Sequence, residues 1–220
     1  MPPAAHPVAA VLFDLDGTLV STKELYLEAY RRALVPVFGR RVSDAEIFAH
    51  GAVGERRFLE ATAADRLDEC LQCFYQEYRA LHSQLFGGVY AGIPELLAEL
   101  RGRGLKLGVV TGKSRDAWLI TSELTELGHF HTVVVDDDVE VAKPDPAGLR
   151  LALEALGVAP EAAMYVGDSP VDLGAATNAG ARPAAAMWSR DGERRTRFLT
   201  EARRFRAAIL EHPAQLLDLL

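Results

Sequence analysis

Four segments of the chain carry residue types that could do chemistry together. Asp14 and Asp16 stand two apart in Asp14-Leu-Asp-Gly-Thr18, directly after the apolar run Val8–Phe13. Thr111-Gly-Lys-Ser114 follows a second apolar run, Leu105–Val110. Lys143-Pro144 comes after a third, Thr132–Val135, and an acidic stretch at Asp136–Asp138. Gly167-Asp168-Ser169, with Asp172 close behind, follows a fourth, Ala163–Val166. Carboxylates, a hydroxyl, an ammonium and several glycines amount to a hard-cation site beside an anion site. Mg²⁺ takes oxygen ligands and keeps waters, typically using one or two carboxylates plus phosphate. Threonine hydroxyls, glycine amides and a lysine are what holds a phosphoryl group.

These residues can meet only if the apolar runs are strands of one open α/β sheet, because ligands bind there at the strands' carboxyl ends. Val8–Phe13 is apolar without alternation, as expected of a strand buried on both faces of a parallel sheet. From Gly87-Gly88 onward, strands alternate with helices predicted at 94–103, 114–127, 146–156 and 171–179. A last strand is predicted at 183–187. Gly157 and Gly180 sit where helices should stop, and Ser114 is an N-cap candidate. Between the first strand and the rest, residues 22–86 show apolar residues at helical spacing and no strand. The expected architecture is therefore α/β, a doubly wound, mostly parallel, Rossmann-like sheet with an inserted helical cap domain. The core would comprise residues 1–20 and 88–220, and the cap residues 21–87, with linkers near Val20–Thr22 and Gly87–Ile93.

Composition narrows the function classes. The 220 residues carry 24 Lys plus Arg against 31 Asp plus Glu, a net charge of −7, which disfavours nucleic acid as partner. With 49% hydrophobic and 25% charged residues the chain is globular in balance rather than disordered. Its two cysteines cannot make a disulfide framework. No apolar run has the roughly 18 residues of a membrane span, and the N-terminus lacks a basic region of the signal-peptide kind. A soluble cytoplasmic protein, monomer or homodimer, is expected.

With its four motifs in order, the chain resembles the haloacid dehalogenase-like hydrolase superfamily. The matching residues are Asp14-Leu-Asp-Gly-Thr-Leu19, Val110-Thr111-Gly112, Lys143-Pro144 and Gly167-Asp-Ser-Pro-Val-Asp172. The helical insert lies where that superfamily carries its cap. The stretches Gly92-Ile-Pro-Glu-Leu-Leu97, Leu107-Gly-Val-Val-Thr111 and Ala142-Lys-Pro-Asp-Pro146 look most like the phosphoglycolate phosphatase and pyrophosphatase subgroup. The resemblance implies Asp14 as nucleophile and Asp16 as general acid and base. Mg²⁺ would be held by Asp14, the Asp16 carbonyl and Asp168, with Asp172 orienting a metal-bound water. Thr111 and the Gly112 amide would hold phosphate oxygens, and Lys143 would neutralise charge. In the cap, His50 and Arg56 flank a glycine-rich turn and are candidates for contacting substrate.

The implied activity is Mg²⁺-dependent hydrolysis of a small phosphorylated metabolite through an aspartyl-phosphate. Phosphosugar mutase and inorganic pyrophosphatase are the enzymatic alternatives. A catalytically silent binding module of the same fold is the alternative from another class, and would have lost Asp14, Asp16 or Lys143. Asp16 speaks against dehalogenation, which needs no leaving-group acid. Where relatives often carry Asp-Ser after the first motif, this chain has Ser21-Thr22. Other residues have plainer readings. Lys113 is expected to face solvent or start a helix, Asp136–Asp138 to be an acidic loop, and Cys70 and Cys73 to pack on one helix face. Ser169 is either an N-cap or a site residue. The seven arginines between Arg190 and Arg206 read as the solvated face of a helix.

Overall fold

The computed structural model describes residues 7–49 and 54–220. Strands β1 (Ala10–Phe13), β2 (Lys106–Val110), β3 (Thr132–Val134), β4 (Ala163–Gly167), β5 (Arg182–Ala186) and β6 (Ala208–Leu210) form one sheet in the order β3-β2-β1-β4-β5-β6. Every neighbouring pair is parallel. The helices are α1 (Lys23–Phe38), α2 (Asp44–Phe48), α3 (Glu55–Ala63), α4 (Leu67–Leu85), α5 (Ile93–Gly102), α6 (Arg115–Leu124), α7 (Ala147–Leu156), α8 (Pro170–Ala179) and α9 (Gly192–Arg204).

The unbroken apolar character of β1 follows from burial on both sides, since all four of its residues are buried. Val11 and Phe13 face a layer built by Ile93, Leu96, Leu97 and Leu100 of α5 with Leu216. Ala10 and Leu12 face Leu149, Leu153 and Leu156 of α7 and Ala175, Ala176 and Ala179 of α8. The chain moves outward from β1 to β3 on one side, then returns to β4 on the other. Strand order thus reverses between β1 and β4, which opens a crevice at their carboxyl ends.

The sheet extends one strand beyond the expected last one. β6 joins β5 in parallel register, Ala184 to Ala208. A three-residue edge strand behind an arginine-rich helix carries almost no periodic signal, so sequence reading stops short of it. Five of the seven arginines lie on α9, where Arg195 pairs with Glu211 and Arg204 with Glu201 as on a solvated face, whereas Arg190 precedes the helix and turns into the crevice and Arg206 follows the helix. Its other face, Phe198 and Ala202, packs on Leu173 and Ala185.

Residues 23–85 are helical throughout, apart from short connections and the undescribed 50–53. Helices α1, α3 and α4 close around aromatic rings, with Tyr30 4.5 Å from Phe58 and 4.7 Å from Phe74 between centroids. Cys70 and Cys73 belong to this cluster as packing residues. The two chain crossings into the segment run side by side. Ser21 donates its N–H to Gly88 O at 2.9 Å, and Gly87 donates to Ser21 O at 2.8 Å. A side chain at Gly87 would strike Ser21 Oγ at 2.6 Å, so the close approach needs glycine. The helical cluster also takes in Ala117 and Ile120 of α6, a helix from the sheet side.

Candidate active site

β1 and β2 deliver their side chains into the crevice by continuing the ladder one residue past the strand. Asp14 N–H donates to Val166 O at 2.9 Å and Thr111 N–H to Val134 O at 3.0 Å. Lys143 Nζ reaches Asp14 Oδ1 at 2.8 Å and Asp172 Oδ1 at 2.6 Å, so one ammonium bridges the first and fourth strand ends. It also donates to the Tyr165 hydroxyl at 3.0 Å, and that hydroxyl donates to Val110 O at 2.7 Å. Tyr165 gives no warning in the sequence, because it lies inside an apolar strand. Asp172 is held further by the Ser169 N–H at 3.0 Å, so Ser169 caps α8 through this carboxylate.

Asp14, Asp168 and Asp172 each offer an oxygen within 4.8 Å of the others. Burial pushes Asp14 up to about 8; Lys143 pulls it down, while Asp172 and Asp168 add to the rise. Burial likewise pushes Asp168 up to about 6, against the pull of Arg190. Arg190 lies 3.0 Å from Asp168 Oδ2, a partner the motif does not announce. Gly17, at φ 84°, makes room here, since a Cβ on it would lie 2.4 Å from Asp168 Oδ2. Three clustered carboxylates, two of them buried and Asp168 half-buried, with two nearby cations remain short of positive charge, and their donors are all hard oxygens. This donor set fits Mg²⁺.

Asp16 is held at both oxygens. Thr22 Oγ1 hydrogen-bonds to Oδ1, and Lys113 Nζ forms an ion pair with Oδ2 at 3.0 Å. The expected solvent-facing Lys113 is corrected here: its side chain is fully buried. Its ammonium also lies 3.6 Å from Glu55 Oε1 and 4.7 Å above the Tyr78 ring. The reason is packing of α3 and α4 over the loop after β2, which sequence spacing does not reveal.

The crevice is a cavity of about 730 Å³ lined by Asp14, Asp16, Thr111, Gly112, Lys143 and Asp168, among others. Tyr26, Tyr30, Phe48 and Phe58 form its wall on the helical side, and Lys23, Arg190 and Arg194 also line it. Arg56 is not brought into the crevice. It is half-exposed, 3.8 Å from Asp137 Oδ1, because α3 turns it toward the acidic turn after β3. His50 lies outside the described residues. The neighbouring Arg57 is the one that engages. Its Nε sits 3.0 and 2.9 Å from the two oxygens of buried Asp136, and it donates to the carbonyls of Val139 and Glu140. The acidic stretch is thus a short turn that docks α3.

A doubly wound parallel sheet with acids at two adjacent strand ends, bridged by one lysine, is the architecture of a hydrolase family. The chain belongs to the haloacid dehalogenase-like hydrolase family, whose model matches residues 11–186, and it sits among the phosphatase-like members. It is similar to the pyrophosphatase PpaX of Bacillus velezensis, with 36% identity over 186 residues, 84% of this chain and 86% of that protein. Among solved structures, it is similar to a Lactobacillus plantarum protein given provisionally as a phosphoglycolate phosphatase. The TM-score is 0.78 at 25% identity, over 97% of this chain and 100% of the other. CbbY from Rhodobacter sphaeroides, solved in complex with phosphate, superposes with a TM-score of 0.77 at 25% identity, over 95% of this chain and 96% of the other. Among the described residues, no helix is long and apolar enough to cross a membrane.

Proposed function

We propose that the protein is a Mg²⁺-dependent phosphatase that hydrolyses a small phosphorylated metabolite through an aspartyl-phosphate. The observation that carries this reading is Lys143 Nζ bridging Asp14 and Asp172 beside Asp168, in a crevice that also presents Thr111 and Gly112. Asp14 attacks phosphorus, because it is the carboxylate at the centre of the site and Lys143 holds its Oδ1. Mg²⁺, held by Asp14, Asp168 and the Asp16 carbonyl with support from Asp172, supplies the charge that lets a carboxylate approach a phosphate dianion. Thr111 and the Gly112 amide orient phosphate oxygens, and Lys143 offsets the charge that develops on them. Asp16 gives its proton to the leaving oxygen and then takes one from the attacking water. The helical segment 21–87 is a cap over this crevice and selects the substrate.

Pyrophosphate is a second candidate substrate, favoured by the likeness to PpaX at 36% identity. The deciding experiment measures phosphate release from a panel of phosphorylated metabolites, pyrophosphate included, with Mg²⁺ and with excess chelator. Release that needs Mg²⁺ is expected; undiminished release in chelator overturns the metal assignment, and release from no compound overturns the phosphatase reading.

A further inference from the structure

Two residues of the helical segment converge on Asp16 by different routes. Thr22, at the start of α1, holds Oδ1 directly. Glu55, at the start of α3, reaches Oδ2 through an intermediary, since its Oε1 lies 3.6 Å from Lys113 Nζ, itself 3.0 Å from Asp16. The other oxygen of Glu55 accepts the Ser114 N–H at 2.6 Å, in the loop that carries Lys113. Glu55 is 4% exposed and the Lys113 side chain fully buried, so neither charge has water as an alternative partner. The Tyr78 ring closes the remaining side of the ammonium. Close fit enforces the arrangement: a Cβ on Gly54 would meet Gly112 O at 2.3 Å.

We propose that Glu55 is a positioning residue of the helical segment that acts through Lys113 to hold the Asp16 carboxyl where it meets the leaving oxygen. This rests on the phosphatase reading of Asp16. A buried ammonium placed between two carboxylates has a defined location only while both are present. Without Glu55, the Lys113 side chain is free to follow Asp16 into other rotamers, and the proton donor loses its fixed direction. Arg57, two residues on, supplies the comparison. It docks the same helix on Asp136, Val139 and Glu140 and does not touch Lys113 or Asp16.

The test compares phosphoryl transfer in single turnovers on an alkyl phosphate and on p-nitrophenyl phosphate, whose leaving group needs little protonation. General acid–base help is typically worth about 10²–10⁴-fold, so Glu55→Gln, an isosteric change, should slow the alkyl phosphate at least about tenfold and p-nitrophenyl phosphate less than about threefold. Arg57→Met should change both substrates by the same factor. Lys113→Gln should reproduce the leaving-group selectivity, and Glu55→Gln added to it should bring less than about twofold further loss, as expected of residues acting in series. Thermal unfolding of each variant separates misfolding from mispositioning, and Lys113→Gln carries the test if Glu55→Gln does not fold. Equal losses on both substrates for Glu55→Gln, or additive losses in the double variant, overturn the role of Glu55. A wild-type protein that releases phosphate from neither ester overturns the phosphatase reading itself, and this role with it.

Discussion

Lys143 and Asp14 are 129 residues apart in the chain and 2.8 Å apart in space. The same ammonium also serves Asp172, so a single side chain offsets two buried carboxylates of the site. Removing it should hurt twice. Breaking a buried ion pair by deleting one partner costs about 3–5 kcal/mol, because the other charge stays buried alone. Lys143 is slightly exposed, so Lys143→Met should fall at the lower end, about 3 kcal/mol. Turnover should drop by at least about 10²-fold, the range seen when one charge-stabilising donor is lost. A denaturant midpoint and kcat, measured on the same preparation, check both; an unchanged midpoint would mean that the network contributes nothing to stability.

The raised carboxyl groups predict how metal and pH are linked. Asp14 is pushed up to about 8 and Asp168 up to about 6, both from 3.8. In metal-free protein the folded state therefore binds more protons than the unfolded chain above the unfolded value. Their contribution to stability is fully present below that value and is lost as pH rises through the folded values. Bound cation requires ionised carboxyls, so protons and Mg²⁺ compete. The gap in unfolding temperature between protein with Mg²⁺ and protein with chelator should widen from about pH 5 to about pH 8. A gap that is constant across this range would contradict the assignment of these carboxylates to the metal.

Asp14→Asn separates chemistry from stability. The amide has similar volume, but is a poor nucleophile and a weaker ligand, so activity should be almost absent. In chelator at about pH 8, the variant should unfold at the same temperature as wild type or higher, because the amide removes one of three crowded carboxylates. Wild-type turnover in a pure preparation would show that Asp14 is not the nucleophile.

Gly17 tests the shape of the site rather than its charge. Its φ of 84° is one that residues with a Cβ adopt at a cost, and the added Cβ would lie 2.4 Å from Asp168 Oδ2. Gly17→Ala should lose about 1–3 kcal/mol from backbone strain. It should also weaken Mg²⁺ binding, measured by calorimetry, since Asp168 must swing away. Unaltered Mg²⁺ affinity would place the cation elsewhere.

What the sequence alone determined is what local pattern controls. Four apolar runs, each followed by polar residues, fix strands and strand ends, and parallel packing then forces Asp14, Thr111, Lys143 and Asp168 toward one crevice. The helical spacing of residues 23–85 is equally local. Tertiary structure decided the contacts that join distant segments. Glu55 and Ser114 are 59 residues apart, and Arg57 and Asp136 are 79 apart; no periodicity relates such pairs. Lys113 looks like a surface lysine in sequence because its burial is imposed by α3 and α4 rather than by its neighbours. Arg56 and Arg57 are indistinguishable by type and spacing. Only the packed rotation of α3 turns Arg57 onto Asp136 and leaves Arg56 half in solvent. Tyr165 and Arg190 entered the site for the same reason, since a side chain's neighbours across a sheet or crevice are set by long-range packing and not by the residues beside it.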